Sequence, residues 1–134
     1  MLGKKEDLSL TEAKQIQPLV LAMIGDGVQT LFVREFVAKN LGVKVNKMTK
    51  LVSGAVNAKA QCEIFQKIEP QLLEDEIDVA RRARNAHIHT KAKNFSYFEY
   101  IHATAFEALL GYLYLTGQTE RLNTFLEMTV ENIK

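Results

Sequence analysis

Two carboxylates, Asp26 and Glu107, each stand alone in a strongly apolar stretch. Asp26 interrupts "PLVLAMIGDGVQTLFV" (18–33), and Glu107 interrupts "ATAFEALLGYLYL" (103–115). An ionised carboxylate is almost never fully buried unless it is paired or binds a metal. If the two stretches pack together, the carboxylates can face each other and, with waters and a substrate phosphate, bind Mg²⁺. The residues equally allow each carboxylate to lie at a helix edge and pair with a lysine or an arginine.

Three glycines lie close to these carboxylates. Gly25 and Gly27 flank Asp26, and Gly111 follows Glu107 by about one helical turn. A glycine in a helix interior costs about 1 kcal/mol relative to alanine, so their presence needs a reason. We predict that they allow the backbones of two helices to approach closely beside the carboxylates.

A run of basic residues, "RRARNAHIHTKAK" (81–93), is the second feature that could do chemistry. Such a cluster can contact the phosphates of a nucleic acid, which dominate its affinity for proteins. The run can also be a solvated helix end, because cations stabilise a helix C-terminus. Its two histidines do not indicate zinc, since no third ligand follows at a suitable spacing. A weaker basic patch consists of Lys47, Lys50 and Lys59.

The composition limits what kind of protein carries these residues. The chain has 134 residues, 47% of them hydrophobic, which predicts a single domain over 1–134 with a real core. The net charge of +1 gives no global attraction to a polyanion. The single Cys62 excludes an intrachain disulfide and suits a reducing compartment. With no signal peptide and no 18-residue apolar stretch, we expect a cytoplasmic protein without a membrane partner.

The sequence places the two carboxylates in predicted helices and the basic run at the end of a predicted helix and in the loop after it. The apolar periodicity predicts an all-α helical bundle, and no alternating strand pattern competes with it. Residues 1–15 could be flexible. The predicted helices cover residues 18–39, 46–67, 73–86, 96–115 and 120–132. The fourth is apolar nearly all round, so we expect it to be buried or to face a partner.

Four segments of the chain resemble a known family. "IGDGV" is similar to the "GDAV" core of the ribonuclease III signature, and "FEALLGYLYLTGQTERL" to its second acidic motif, "EALIGALYL". "NAKAQ" (57–61) and "RRARNAHIHTKAKN" (81–94) resemble the bacterial Mini-ribonuclease III pattern. The order and spacing of these four segments agree with the family pattern from about residue 18 to residue 122. The resemblance is therefore to a ribonuclease III catalytic domain that has no separate domain for binding duplex RNA.

The resemblance implies a metal-dependent endoribonuclease that cuts double-stranded RNA, leaves 5′-phosphate ends and works as a homodimer. It implies that Asp26 and Glu107 are the catalytic residues and the Mg²⁺ ligands. The expected substrate is the precursor of large-subunit (23S) ribosomal RNA. A ribosomal protein that presents this RNA is a further expected partner. The residues expected to contact RNA are Lys59, Arg81, Arg82, Arg84, Asn85, His89, Lys91 and Lys93.

The chain departs from the larger ribonuclease III pattern at two acidic positions. Ala22 and Thr104 stand where the larger enzymes carry carboxylates, which is the pattern of the smaller family. Gly27 stands where the family usually has alanine, and Ala83 stands where the family often has glycine. One alternative is a non-cleaving RNA-binding or ribosome-assembly factor on the same fold. A helical nucleotide hydrolase is less favoured, because it needs acidic residues one helical turn apart on one face.

Overall fold

The computed structural model describes residues 6–86 and 96–133, and these residues confirm the all-α prediction. No strand occurs in these two ranges. A 3₁₀ turn, Glu69–Gln71, connects the fourth and fifth helices. The helices of the described ranges are α1 (Leu10–Lys14), α2 (Pro18–Asn40), α3 (Val45–Ala55), α4 (Ala58–Ile68), α5 (Glu74–Asn85), α6 (Tyr97–Leu115) and α7 (Thr119–Val130).

Helix α6 is the centre of the bundle. It packs against α2, α4 and α5, and eleven of its nineteen residues are buried. This agrees with its sequence, because a helix that is apolar on all sides is stable only when other elements surround it. The main core includes Leu21, Phe65, Phe106 and Phe125, and a smaller core forms where α3 meets α2 and α7. Both carboxylates of interest are therefore carried by the two longest helices of the described chain.

Two glycines bring α2 and α6 into backbone contact. A Cβ added to Gly25 would lie 1.8 Å from the carbonyl oxygen of Glu107. A Cβ added to Gly111 would lie 2.0 Å from the carbonyl oxygen of Leu21. The predicted close approach is thus confirmed at Gly25 and Gly111. The prediction was wrong for Gly27, whose added Cβ would meet no described atom within 4 Å.

The helix pattern differs from the sequence prediction by one interruption and one additional helix. The predicted helix over 46–67 is interrupted after Ala55, and α4 starts afresh at Ala58. The side-chain oxygen of Asn57 accepts a hydrogen bond from the Ala60 N–H (2.8 Å), which caps the new helix. The short helix α1 was not predicted, although Ser9 and Glu12 form a capping box at its start. No helix of the described chain combines the length and the apolarity that crossing a membrane requires.

Candidate active site

Asp26 on α2 and Glu107 on α6 face each other across one cleft. Asp26 is exposed and Glu107 is partly buried, and their carboxyl groups lie within hydrogen-bonding reach of each other. The close contact of α2 and α6 at Gly25 produces this arrangement, since Gly25 adjoins Asp26 and touches the Glu107 backbone. The cleft has a volume of about 360 Å³ and is lined by Leu19, Ala22, Met23, Asp26, Tyr100, Thr104 and Glu107.

The electrostatics of the pair favour a cation. Burial raises the pKa of Glu107 to about 8, and the negative charge of Asp26 and a hydrogen bond to it add to the shift. A hydrogen bond from Gln61 acts in the opposite direction on this pKa. Within residues 6–86 and 96–133, no ion pair involves Asp26 or Glu107. The alternative that each carboxylate pairs with a lysine or arginine is therefore not what the described structure contains.

The raised pKa of Glu107 predicts how stability depends on pH in the metal-free protein. The folded-state pKa of about 8 lies above the ordinary value of 4.5, so the folded state binds the proton more tightly than the unfolded state. This contribution to stability is fully present below pH 4.5 and is lost as the pH rises through 8. We expect the free energy of unfolding of Glu107→Gln to fall less than that of the wild type between pH 5 and 8.5. Urea denaturation in EDTA measures this, and parallel pH curves for the two proteins would contradict it.

The two carboxyl groups fit Mg²⁺, which is bound partly by water and substrate, better than they fit a metal ion bound by protein ligands alone. Among the described residues, no three histidine, cysteine, aspartate or glutamate side chains come together as a metal site. Mg²⁺ keeps several waters and is commonly bound by one or two carboxylates together with substrate phosphates. Two carboxyl groups at the wall of an open cleft match this preference, and a cation there would offset the charge repulsion from Asp26 that contributes to the raised pKa of Glu107.

Comparison with known proteins agrees with this geometry. Residues 19–118 match the model of the ribonuclease III domain. The chain belongs to the ribonuclease III family, and it is an endoribonuclease. It is similar to Mini-ribonuclease 3 of a Thermoanaerobacter species, with 41% identity over 100% of this chain and 96% of the relative. It is 44% identical to Mini-ribonuclease 3 of Brevibacillus brevis, over 89% of this chain and 88% of the relative.

A solved structure shares the fold of this chain. A crystal structure of a Fusobacterium nucleatum protein superposes with a TM-score of 0.81 and 31% identity. The superposition covers 87% of this chain and 93% of that one.

The two departures from the larger ribonuclease III pattern lie in the same cleft as the carboxylates. Ala22 is one helical turn before Asp26, and Thr104 is one turn before Glu107, and both line the cleft. The Thr104 hydroxyl donates to the Tyr100 carbonyl oxygen (3.0 Å). Among the described residues that line the cleft, two side chains are therefore acidic.

A buried row of polar side chains behind Glu107 was not predicted from the sequence. Gln61 on α4 contacts Glu107, Gln29 on α2 contacts Gln61, and Thr129 on α7 contacts Gln29. Gln29 and Gln61 are 0% and 3% exposed. A signal was available, because glutamine is seldom buried and Gln29 stands in the same apolar stretch as Asp26.

The basic cluster is only partly described. Arg81 and Arg82 pair with Asp78 at 2.5 Å and 3.9 Å, and Arg84 pairs with Glu69 at 3.1 Å. Asn85 and Lys59 are exposed on α5 and α4. The acidic neighbours of these arginines therefore lower the net positive charge of this part of the surface. The remaining expected RNA contacts lie outside the described residues, and they are His89, Lys91 and Lys93.

Proposed function

We propose that this endoribonuclease cuts double-stranded RNA in a Mg²⁺-dependent reaction at the cleft between α2 and α6. The observation that carries the proposal is that Asp26 and Glu107 face each other across an open cleft. The family fold adds support, since the residue pattern of the resemblance falls on these two positions.

Asp26 and Glu107 have different tasks in the proposed site. Asp26 is exposed, so it can meet the ion and the RNA phosphate from solvent without rearrangement of the helices. Glu107 is partly buried and hydrogen-bonded from Gln61, so it forms the fixed side of the site. Glu107 must give up the proton that its raised pKa favours before it can act as a ligand. When bound, Mg²⁺ supplies Lewis-acid stabilisation of phosphate charge and lowers the pKa of water.

The RNA surface is proposed to extend from the end of α5. Arg81, Arg82 and Arg84 lie in its last turns, and Asn85 ends it. Phosphate contacts from such residues position a duplex without reading its sequence, and duplex RNA is recognised mainly by shape and 2′-hydroxyl groups. We therefore propose weak sequence preference, with contacts from Lys59, Arg81, Arg82, Arg84, Asn85, His89, Lys91 and Lys93.

A second copy of the chain is the proposed occupant of an apolar cleft beside the active site. The cleft has a volume of about 460 Å³ and is lined mainly by apolar side chains of α2, α6 and α7. Met23 is 77% exposed and lines both this cleft and the one that contains Asp26. Gly27 also lines the apolar cleft, and an added Cβ there would still leave open space for a partner. A homodimer across this face would bring two sites together, one for each RNA strand.

Leu31 provides a test of the homodimer. Its side chain lines the apolar cleft and is 50% exposed. A charge buried at an interface typically costs 2 kcal/mol or more, so we expect Leu31→Arg to weaken dimerisation by about 30-fold or more. The matched control is Val45→Arg, because Val45 is 73% exposed on α3 and does not line the cleft. Sedimentation equilibrium measures both, and equal association of the two variants would contradict this interface.

The proposed natural substrate is the precursor of large-subunit ribosomal RNA, which would place the enzyme in the cytoplasm. The net charge of +1 supports the further proposal that a ribosomal protein presents the RNA, because the chain has little global attraction for naked RNA. Cleavage rates on the naked precursor and on its protein complex test this. Faster cleavage of the complex is expected, and equal rates would contradict it.

The experiment that tests the proposed activity compares duplex and single-stranded RNA. Both strands of a labelled duplex, and each strand alone, are incubated with the wild type in Mg²⁺ and in EDTA. We expect cleavage of the duplex in Mg²⁺ only, with 5′-phosphate ends. Cleavage in EDTA, preference for single strands, or duplex binding without cleavage in any divalent ion would overturn the proposal.

A further inference from the structure

We propose that Gln61 is a positioning residue that holds Glu107 in its orientation for metal binding, and that Gln29 and Thr129 hold Gln61. This inference rests on the proposed function of Glu107 as a metal ligand. The observation behind it is a continuous row of buried hydrogen bonds that runs from the cleft, through the core, to the C-terminal helix.

The row has a defined donor direction. The Gln61 amide nitrogen donates to Glu107 Oε2 (3.2 Å) and to Gln29 Oε1 (2.7 Å). The Gln29 amide nitrogen in turn donates to Thr129 Oγ1 (3.1 Å). An amide NH₂ group has two hydrogens, so Gln61 uses both of its donors on these two acceptors.

When Glu107 is ionised, one orientation of the Gln61 amide satisfies both of its neighbours. A rotation by 180° would place the Gln61 carbonyl oxygen against Glu107 Oε2 and Gln29 Oε1, which are both acceptors when Glu107 is ionised. Gln61 and Gln29 are buried, and a buried polar group without a partner is strongly disfavoured. When Glu107 is ionised, as metal binding requires, the contact with Gln29 therefore favours the orientation in which Gln61 presents a donor to Glu107.

A fixed hydrogen bond from the Gln61 amide to Glu107 has two consequences for a cation site. It restricts the rotamers of a long, flexible side chain before the ion arrives, so less conformational entropy is lost on binding. It also engages one carboxylate oxygen from the side of α4, while Asp26 approaches from α2. Groups that orient metal ligands in this way typically contribute about 10–100-fold to metal affinity or activity.

The first test replaces the amide with an apolar side chain of similar length. We expect Gln61→Met to bind Mn²⁺, measured by electron paramagnetic resonance without RNA, about 10–100-fold more weakly than the wild type. We expect kcat for duplex cleavage to fall at low Mg²⁺ and to recover at high Mg²⁺, with duplex binding in EDTA unchanged. The matched control is Gln66→Met, because Gln66 is an exposed glutamine on the same helix.

A second variant separates positioning from folding. Gln29→Met removes the acceptor that orients Gln61 but touches neither carboxylate, so we expect a smaller loss of Mn²⁺ affinity in the same direction. If Gln61→Met does not fold, Gln29→Met serves as the test variant in its place. Melting temperatures that fall in both variants while Mn²⁺ affinity stays at the wild-type value would overturn the inference. A wild type that binds no Mn²⁺ would instead overturn the proposed function, and the inference with it.

Discussion

Asp26→Asn is expected to lower the rate of duplex cleavage about a thousandfold while leaving duplex binding in place. The substitution keeps the shape of the side chain and removes its charge, so the cleft loses one of the two acidic side chains that line it in the described ranges. Metal-assisted charge stabilisation contributes several kcal/mol to such reactions, and about 4 kcal/mol corresponds to a factor of about a thousand. Because Asp26 is exposed and lies outside both cores, the fold should tolerate the change.

Glu127→Gln is the matched control for this loss of charge. Glu127 is exposed on α7, and the substitution changes the net charge by the same amount. Single-turnover cleavage and electrophoretic mobility shift of the same labelled duplex are measured for the three proteins. Comparable loss of cleavage in both variants, or loss of duplex binding in Asp26→Asn alone, would argue against a role for Asp26 in the chemical step.

Gly25→Ala is expected to have the largest effect on stability. The added methyl group would lie 1.8 Å from the Glu107 carbonyl oxygen, which belongs to the backbone of α6 and cannot rotate away. Overpacking of a well-packed core typically costs 1–3 kcal/mol, and this contact should reach the upper end, about 3 kcal/mol. We therefore expect the melting temperature to fall by about 10 °C or more.

Gly27→Ala is the internal comparison, because it adds the same methyl group two residues further along the same helix. Its added Cβ would meet open space, so the usual preference of helices for alanine should raise stability by about 0.5–1 kcal/mol. Thermal unfolding followed by circular dichroism measures both variants. Similar melting temperatures would show that α2 and α6 do not approach each other as closely as the structure has them.

The sequence was informative where one residue broke the rule of its own helix. Asp26 and Glu107 were conspicuous because each carboxylate interrupted an apolar stretch, and Gly25 and Gly111 because glycine disfavours helices. These exceptions indicated that close backbone approach was possible and left the packing of the two stretches as a condition, which the structure meets by placing α2 and α6 in direct backbone contact. The roles of the carboxylates in binding metal remain proposals.

The sequence was less informative where the partner of a residue lies on another helix. Gln29 lies 32 positions before Gln61 and 100 positions before Thr129, and no local pattern indicates that these residues meet. The break at Asn57 was missed because the apolar periodicity continues on both sides of it. A cap depends on one hydrogen bond, from Ala60 to Asn57, which competes with continuation of the helix.

The arginines of α5 show a different limit. Asp78 lies three and four residues before Arg81 and Arg82, a spacing that places these side chains on one face of a helix. This pairing could have been predicted from the spacing. It lowers the net positive charge of the basic run over residues 81–93. The phosphate contacts of Arg81 and Arg82 would have to compete with Asp78.

The most direct test of the proposed site is the binding of Mn²⁺ to the wild type, Asp26→Asn and Glu107→Gln in the absence of RNA. Electron paramagnetic resonance measures free and bound Mn²⁺ at each total concentration. If the two carboxylates hold one ion together, the tight site is present in the wild type and lost in both variants. Wild-type affinity in either variant would contradict a shared metal site at this cleft.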